Sequence, residues 1–355
     1  MRIQQVEGNL AIGGNINIIT NRPTKEFEGS VGYELGNYNR NMAKGVFSGP
    51  LSETVRGRLV VAKAKRDGLV KELGVGDDHD SVDYQSVRGA LEIDLTSNLQ
   101  AYINAYDFVD SGDVYTRRID KDVNNIANLE PFKVKSNALN ATVNKSKGLS
   151  VDLSLNLDTV ELRSMTSYDE TNTRTQYDVD GNAVRLARNS IALNRETYTQ
   201  EFQALSKGDG PLKWVTGAFF YKEDGRQLNF NATDLQDTNG DGKTGLTTPP
   251  DLIQPLLLQD QKSNNDAKSW AIYGQADYDL TDAVQLIGGL RYTEDNKSYF
   301  SDVLTYVADG TAPTIKGTKM PSYGVLLDAS KGTTWNQVTG KLGLNYKLDN
   351  SARVY

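Results

Sequence analysis

The 355-residue chain contains no cysteine and a single histidine, His79. Without thiols it can form no disulfide framework, no thiolate nucleophile, and no cysteine-ligated zinc or iron–sulfur site. A Ser-His-Asp triad would have to recruit His79 from Asp77-Asp78-His79-Asp80, which reads as an acidic, solvated loop. Long apolar runs are also missing. No stretch approaches the roughly 18 residues that a membrane helix needs. Basic charge is not in excess either: 39 Lys and Arg stand against 46 Asp and Glu, a net charge of −7, which argues against a general nucleic-acid binder. Hydrophobic residues make up only 38% of the chain, little for a packed enzyme core of this length. What the chain does have is 18 Tyr, 9 Phe, 3 Trp and 32 Gly. Disordered chains lack such aromatics. The composition fits a polar, Tyr- and Gly-rich β protein that binds rather than catalyses, and no enzyme activity is expected.

The hydrophobic pattern has a period of two. From Lys268 to Leu280, Trp270, Ile272, Gly274, Ala276 and Tyr278 alternate with Ser269, Ala271, Tyr273, Gln275, Asp277 and Asp279. Strict alternation puts one set on each face of a strand. After Leu280–Ala283 the pattern resumes with Val284, Leu286, Gly288, Leu290 and Tyr292 against Gln285, Gly289, Arg291 and Thr293, with Ile287 the apolar intruder. Comparable alternation runs through Val87–Leu95, Val151–Leu157 and Val338–Leu348. Soluble sheets alternate too, so the connections must discriminate. Short turns are predicted at Gly49–Thr54, Leu95–Asn98, Leu157–Val160, Lys207–Pro211, Leu280–Ala283 and Leu348–Ser351. Long polar links fall at Ser111–Ser146, Asn172–Asn194, Asn231–Asp266 and Ser301–Thr333. Short turns at one end, long loops at the other and strands of about ten or more residues are the transmembrane-barrel pattern.

On this reading the fold is all-β, an antiparallel transmembrane β-barrel, with about thirteen strands in this chain. Trp270, Tyr278, Tyr292, Trp335 and Tyr346 suit two aromatic girdles, and equally suit ordinary strand positions. Val55, Leu59 and Val61 as the lipid face carry Lys63 and Lys65 onto it, near the outer end of their strand, where long side chains snorkel. Gln285, Arg291, Asp277 and Lys341 then face the lumen. Thirteen strands leave open edges, and Met1–Gly8 has no apolar signal-peptide core. Both features predict a piece of a longer protein.

Gly13-Gly14-Asn15-Ile16-Asn17 through Arg22-Pro23-Thr24 and Phe27-Glu28-Gly29 resembles the end of the plug domain in TonB-dependent outer-membrane receptors. Gly36–Arg40, Gly49–Ser52 and Arg66-Asp67-Gly68 are similar to that family's first turns and loops. Gln200-Glu201-Phe202 with Trp214, and Tyr278–Tyr292, resemble mid-barrel hairpins of siderophore-type members. The resemblance implies a plug remnant at residues 1–25 and, over 26–355, the N-terminal part of a 22-stranded plugged barrel. It further implies a monomeric receptor, when complete, in the bacterial outer membrane, among its lipids. Such a receptor takes up a ferric siderophore or similar nutrient and is coupled to the TonB complex through a segment ahead of Met1. A passive porin or glycan channel, and a soluble carbohydrate-binding β protein, are the rival readings.

No resident cofactor is expected beyond one candidate. Asp237-Thr238-Asn239-Gly240-Asp241-Gly242 opens like a calcium loop, with Asp237, Asn239 and Asp241 as oxygen ligands around one turn. Thr248 stands where a bidentate Glu belongs. The alternative is a polar loop tip. Asp77, Asp78, His79 and Asp80 form a second, weaker candidate for a cation.

Overall fold

The computed structural model describes residues 19–113, 131–136, 138–179, 187–233, 256–308, 327–347 and 353–354. Among these, fifteen strands follow one another: Glu28–Gly36 (β1), Arg40–Pro50 (β2), Val55–Arg66 (β3), Lys71–Glu72 (β4), Val82–Asp94 (β5), Leu99–Asp110 (β6), Lys133–Val134 (β7), Ala141–Asn156 (β8), Val160–Asp178 (β9), Ala187–Ser206 (β10), Leu212–Thr233 (β11), Leu256–Asp279 (β12), Val284–Ala308 (β13), Leu327–Lys347 (β14) and Arg353–Val354 (β15). Thirteen of them make one sheet in chain order. Each pairs antiparallel with its neighbour in that order, from β1 with β2 to β14 with β15. β4 and β7 stand aside as a two-residue parallel pair.

The turns explain this meander. Leu51-Ser52, Leu95-Thr96 and Leu280-Thr281 repeat one device. The Leu and Ser or Thr amides donate to the carbonyl of the first residue of the next strand: Val55, Leu99 and Val284. The hydroxyl then accepts from two amides further on: Thr54 and Val55 for Ser52, Asn98 and Leu99 for Thr96, Ala283 and Val284 for Thr281. A hydroxyl that satisfies the turn's own backbone lets the chain reverse without exposing unpaired donors. All three turns lie at the same end of the sheet, as predicted.

The two faces separate as the alternation predicts. On β12, Ala271, Tyr273, Gln275 and Asp277 are buried, while Trp270, Ile272 and Tyr278 are exposed. On β13, Ile287 and Arg291 are buried, whereas Leu290 is 65% exposed. The ladders carry this parity across the sheet: Ile272 faces Tyr292 and Ala218, and Asp277 faces Ile287. One face is therefore apolar and open, the other polar and crowded. This is the arrangement of a barrel wall, with lipid outside and a wet interior. From Trp270 to Leu280 there are about ten residue steps. At ~3.3 Å each and a tilt near 40°, they span roughly 25 Å, the height of a membrane-facing band. Trp270 and Tyr292 pack 5.3 Å apart at the upper border of that band. Lys63 and Lys65 do share the exposed face of β3 with Leu59 and Val61.

Two expectations need correction. Trp335 does not belong to a girdle: the register sets it opposite Asp295, on the same face as Arg291. Apart from the start of the first at Ser111, the ends of the four long links are strand rather than loop. β10 and β11 stay paired out to Ala187 and Thr233, and β12 and β13 out to Leu256 and Ala308. Above the band both faces meet water, so the alternation of apolar with polar residues fades while backbone pairing continues. On the outward face of β12 that region carries exposed Lys262, Asn264, Asp266 and Lys268.

The band makes a depth-dependent prediction. In the complete protein folded into lipid vesicles, Ile272→Arg should cost about 2–4 kcal/mol, and Asn264→Arg on the same face about 0–1 kcal/mol. Urea unfolding measures both, and equal losses would displace the band.

Candidate functional site

The polar face of the sheet is the candidate site, and its lower part is a set of ion pairs. Arg56 on β3 reaches Glu92 at 3.1 Å and Asp94 at 2.9 Å on β5. Gln100 on β6 donates to Asp94 at 2.9 Å. Further round, Glu161 accepts from Ser154 at 2.6 Å and from Arg163 at 2.7 Å. The segment leading into β1 lies against this wall. Arg22 sits 3.7 Å from Glu92 and 4.5 Å from the centre of the Tyr102 ring. Pro23 is buried, and the amide and hydroxyl of Thr24 both donate to Ser48 at 2.9 Å. Residues 22–24 are thus docked to the inner wall by charge, ring stacking and hydrogen bonds.

Above these ion pairs, two rows of side chains cross four strands each. Arg88, Tyr106, Gly148 and Asp169 stand in direct register on β5, β6, β8 and β9. The guanidinium lies 4.8 Å from the Tyr106 ring centre, and the hydroxyl crosses Gly148 to donate to Asp169 at 2.7 Å. On the other flank the same order runs backwards through the chain: Arg291, Tyr273, Gly217 and Gln203 on β13, β12, β11 and β10. Arg291 lies 5.6 Å from the Tyr273 ring centre. The Tyr273 hydroxyl accepts from Gln203 at 2.9 Å and donates to Glu201. Glycine is required at the crossing, because a Cβ on Gly217 would stand 2.6 Å from the Tyr273 oxygen, and one on Gly148 2.5 Å from Tyr106 Cε1. Glycine within a strand marks such close approaches.

Higher still, the inner wall changes character. Asn189 donates to Asn229 at 2.8 Å, Gln261 and Ser263 reach Ser301 at 3.2 Å, and Thr173 donates to Asn144 at 2.9 Å. These contacts are between neutral amides and hydroxyls.

Outside the sheet, β4, β7 and the loop before β5 form a compact knot around His79. The imidazole is fully buried, not solvated as the sequence suggests. Its Nδ1 is 2.5 Å from Asp113 and its Nε2 is 2.8 Å from Glu72. Ionised carboxylates only accept, so both ring nitrogens must carry protons and the ring is an imidazolium. Burial disfavours its charge, but the bonds to Asp113 and Glu72 outweigh that cost and raise its pKa above the usual histidine range. Burial likewise disfavours the Glu72 anion. Bonds from His79 and from the Ser136 and Gly74 amides, at 2.8 and 2.6 Å, win and lower its pKa.

This arrangement answers the second cation candidate. His79 has no free nitrogen, and Asp78 is occupied by the Glu72 amide at 3.0 Å and Lys71 at 3.1 Å. Among the described residues no group of three or more His, Asp or Glu side chains is placed to hold a metal. Asp237, Asn239 and Asp241, the calcium candidates, lie outside the described residues. Of the predicted lumen residues, Asp277 and Arg291 are buried on the inner face. Gln285 accepts from Asn345 at 3.0 Å, and Lys341 faces Gly289. Arg22, Tyr106 and Tyr273 were not singled out by sequence. For the two tyrosines the signal was Gly148 and Gly217 standing inside strands.

A family model described as TonB dependent receptor-like, beta-barrel matches residues 78–355. No curated protein matches. Among solved structures, the chain is similar to the ferric yersiniabactin uptake receptor FyuA from Yersinia pestis, with a TM-score of 0.71 and 15% identity over 94% of this chain and 46% of that one. It is similar to the siderophore receptor PiuA from Acinetobacter baumannii, with a TM-score of 0.65 and 15% identity over 93% and 48%. The ferric-catecholate import receptor Fiu from E. coli, in its closed form, gives 0.64 and 12% over 96% and 51%. At such identities these likenesses establish the fold.

Two outcomes test the geometry. Gly217→Val forces Tyr273 off Gln203 and should cost about 1–3 kcal/mol. Gly288→Ala on the outer face, with nothing within 4 Å of the added carbon, should be neutral. Urea titration of the complete protein separates them. For the knot, the raised His79 pKa supplies stability that is full below the unfolded value of 6.5 and is lost as pH rises through the folded pKa. The lowered Glu72 pKa supplies stability that is full above 4.5 and is lost as pH falls through its folded pKa. Amide-exchange protection of residues 70–81 should therefore be greatest between 4.5 and 6.5 and decline on both sides. In His79→Ala, which leaves two buried carboxylates facing each other, protection should drop by roughly 3–5 kcal/mol.

Proposed function

We propose, from the premise that this chain belongs to the TonB dependent receptor-like β-barrel family, that it is part of an outer-membrane receptor for ferric siderophores. That family comprises transporters and receptors, not enzymes. The chain spans about half the length of the first structures it matches, 46% and 48%. Cargo and coupling are therefore proposed for the whole protein of which this wall is a part.

The observation that carries the proposal is the docked segment on a polar inner wall. A passive channel needs an unobstructed lumen. Here Arg22, Pro23 and Thr24 are fixed to the inside of β2, β5 and β6 just before the first strand begins. A plug preceding that segment would hang from this anchor and close the lumen. A barrel wide enough for a bulky chelate has to be closed to avoid leakage. Near the docked segment the wall's charges are paired, Arg56 with Glu92 and Asp94 and Arg163 with Glu161. FyuA and PiuA are named for ferric yersiniabactin and siderophores, which supports a ferric chelate as cargo. Binding at the outer loops, followed by energy-coupled rearrangement of the plug through the TonB complex, is the mechanism this reading takes on.

Cells expressing the complete protein should accumulate a labelled ferric siderophore only while the inner-membrane coupling complex is present. Accumulation that persists without the complex favours the passive porin or glycan channel. Absence of accumulation across ferric chelate classes removes siderophores as cargo.

A further inference from the structure

The knot around His79 joins pieces of chain that the large sheet leaves apart. β4 and β7 pair over two residues only, too few to hold a parallel pair unaided. Around that pair the Lys71, Leu73 and Val75 amides donate to the Phe132, Val134 and Ser136 carbonyls. On the other side, the Ser81 amide donates to the Asp113 carbonyl, and the Asp113 amide to the Ser81 hydroxyl. Asp113 and Phe132–Ser136 belong to the two ends of the link between β6 and β8. The His79 ring stands between them. Its Nδ1 meets Asp113, and its Nε2 meets Glu72, whose other oxygen accepts from the Ser136 amide. Backbone strain opposes this closure. Asp80 and Phe132 sit in the left-handed region at φ 58° and 62°, which aspartate tolerates and a bulky phenylalanine does not. The knot is thus held against a backbone cost by bonds that need two protons on one ring.

The charged groups around the ring come from every element packed against it. β4 brings Lys71 and Glu72, and β7 brings Lys133 in register with Lys71. The end of β6 and the segment after it bring Asp110, bonded to the Gly112 amide, and Asp113. β5 opens with Asp83, opposite Lys65 on β3, and β3 ends with Arg66. The histidine's own loop brings Asp77, Asp78 and Asp80. Asp78 is taken by Lys71 and the Glu72 amide, and Asp80 by Arg66 at 3.5 Å. Carboxylates, lysine and arginine ordinarily titrate outside about pH 6–9, and histidine within it. In that range the knot changes charge at His79.

We propose that His79 is a pH-operated latch: its doubly protonated ring holds both ends of the β6–β8 link to the rim, and loss of one ring proton frees both ends together while the sheet stays paired. A deprotonated nitrogen turns a lone pair toward a carboxylate, so a bond becomes a repulsion at a fully buried site. Opening releases one proton above the unfolded value of 6.5. Between that value and the folded one the opening constant therefore rises about tenfold per pH unit. β5 ends at the Leu95 turn, so residues 70–81 lie at the end opposite the short turns. In the outer-membrane reading that end is outside, and the latch answers to the external medium. Only this placement rests on that reading.

Hydrogen exchange of the complete purified protein reads the latch at the Leu73, Val75 and His79 amides, each corrected for the rate of an unfolded chain at the same pH. Protection should be flat between 4.5 and 6.5 and then fall about tenfold per unit, while the amides of β6 keep theirs. His79→Lys, which keeps its charge through this range, should abolish the slope. His79→Ala should leave low protection that no longer depends on pH above 6.5. Nitrogen-15 NMR of the wild-type ring, which needs no variant, should find both nitrogens protonated at about pH 7. A flat profile above 6.5, a slope that survives in His79→Ala, a singly protonated ring, or parallel loss of protection in β6 overturns the latch. Placement is read with Val134→Cys, at a site 2% exposed, in a complete protein free of other cysteines. A membrane-impermeant maleimide is applied to intact cells and to purified protein, and each rate is divided by that of free cysteine. Labelling of both that rises with pH supports an external latch. Labelling of the purified protein alone overturns the external placement and leaves the latch standing, whereas labelling of neither overturns the latch.

Discussion

The register of the ladders is the constraint on which everything else in this sheet depends. Successive side chains in a strand point to opposite faces, so a slip by one residue would turn a whole row of charges outward and a row of leucines inward. Hydrophobic alternation alone sets parity, but it does not choose between registers two residues apart. The rows through Tyr106 and Tyr273 do. Each tyrosine can reach its acceptor only if a glycine lies directly beside it and a carboxylate or amide stands one strand further on. A shift of two residues would set a Cβ under the ring and strand the hydroxyl away from its partner. The two rows run in opposite chain directions, one on β5 to β9 and the other on β13 to β10, and so pin both flanks of the sheet.

Charges on the inner face follow the same logic. Removing one member of a half-buried pair leaves its partner uncompensated. Arg56 is held by two carboxylates, Glu161 by Ser154 and Arg163, and Arg291 by the faces of Tyr273 and Phe219. Partners sit on adjacent strands or two residues apart on one strand, so the pairing is itself a product of the register. Lys63 differs because it points outward, where water and lipid headgroups rather than protein must solvate it.

Much of this was legible in the sequence, and the reasons differ for what was not. The short turns were readable because Leu followed by Ser or Thr is a local signal with a local bond. The faces of β12 and β13 were readable because lipid and lumen impose opposite polarity on alternate residues. Trp335 was misread because an aromatic fits either face, and only its partner Asp295 tells which one it occupies. The outer ends of β10, β12 and β13 were misread because, where both faces are wet, a strand such as Gln261-Lys262-Ser263-Asn264 has the composition of a loop. His79 was misread for a related reason. Three aspartates around a histidine look solvated, yet the residues that bury it, Glu72 and Asp113, lie 7 and 34 positions away.

These misreadings share a physical cause at the outer end of the sheet. Once a strand leaves the bilayer its backbone groups still need partners, but nothing dictates that they be ladder partners. The chain solves the problem in two ways. β3, β5 and β6 have 12, 13 and 12 residues and stop soon after the band. The chain beyond them is tied down by the His79 imidazolium, by the Asp67 amide on Tyr38 and by Arg66 on Asp80. β11, β12 and β13 have 22, 24 and 25 residues and continue as ladders. At ~3.3 Å per residue the longest is on the order of 80 Å. The low side of the rim is held by buried ionic bonds and so responds to pH, whereas on the high side the backbone ladder itself continues, with amide and hydroxyl contacts and an exposed Lys222–Asp224 pair along it. The two flanks of the rim are thus held differently, one by the continuing ladder and the other by a knot whose strength depends on the protonation of His79 and Glu72.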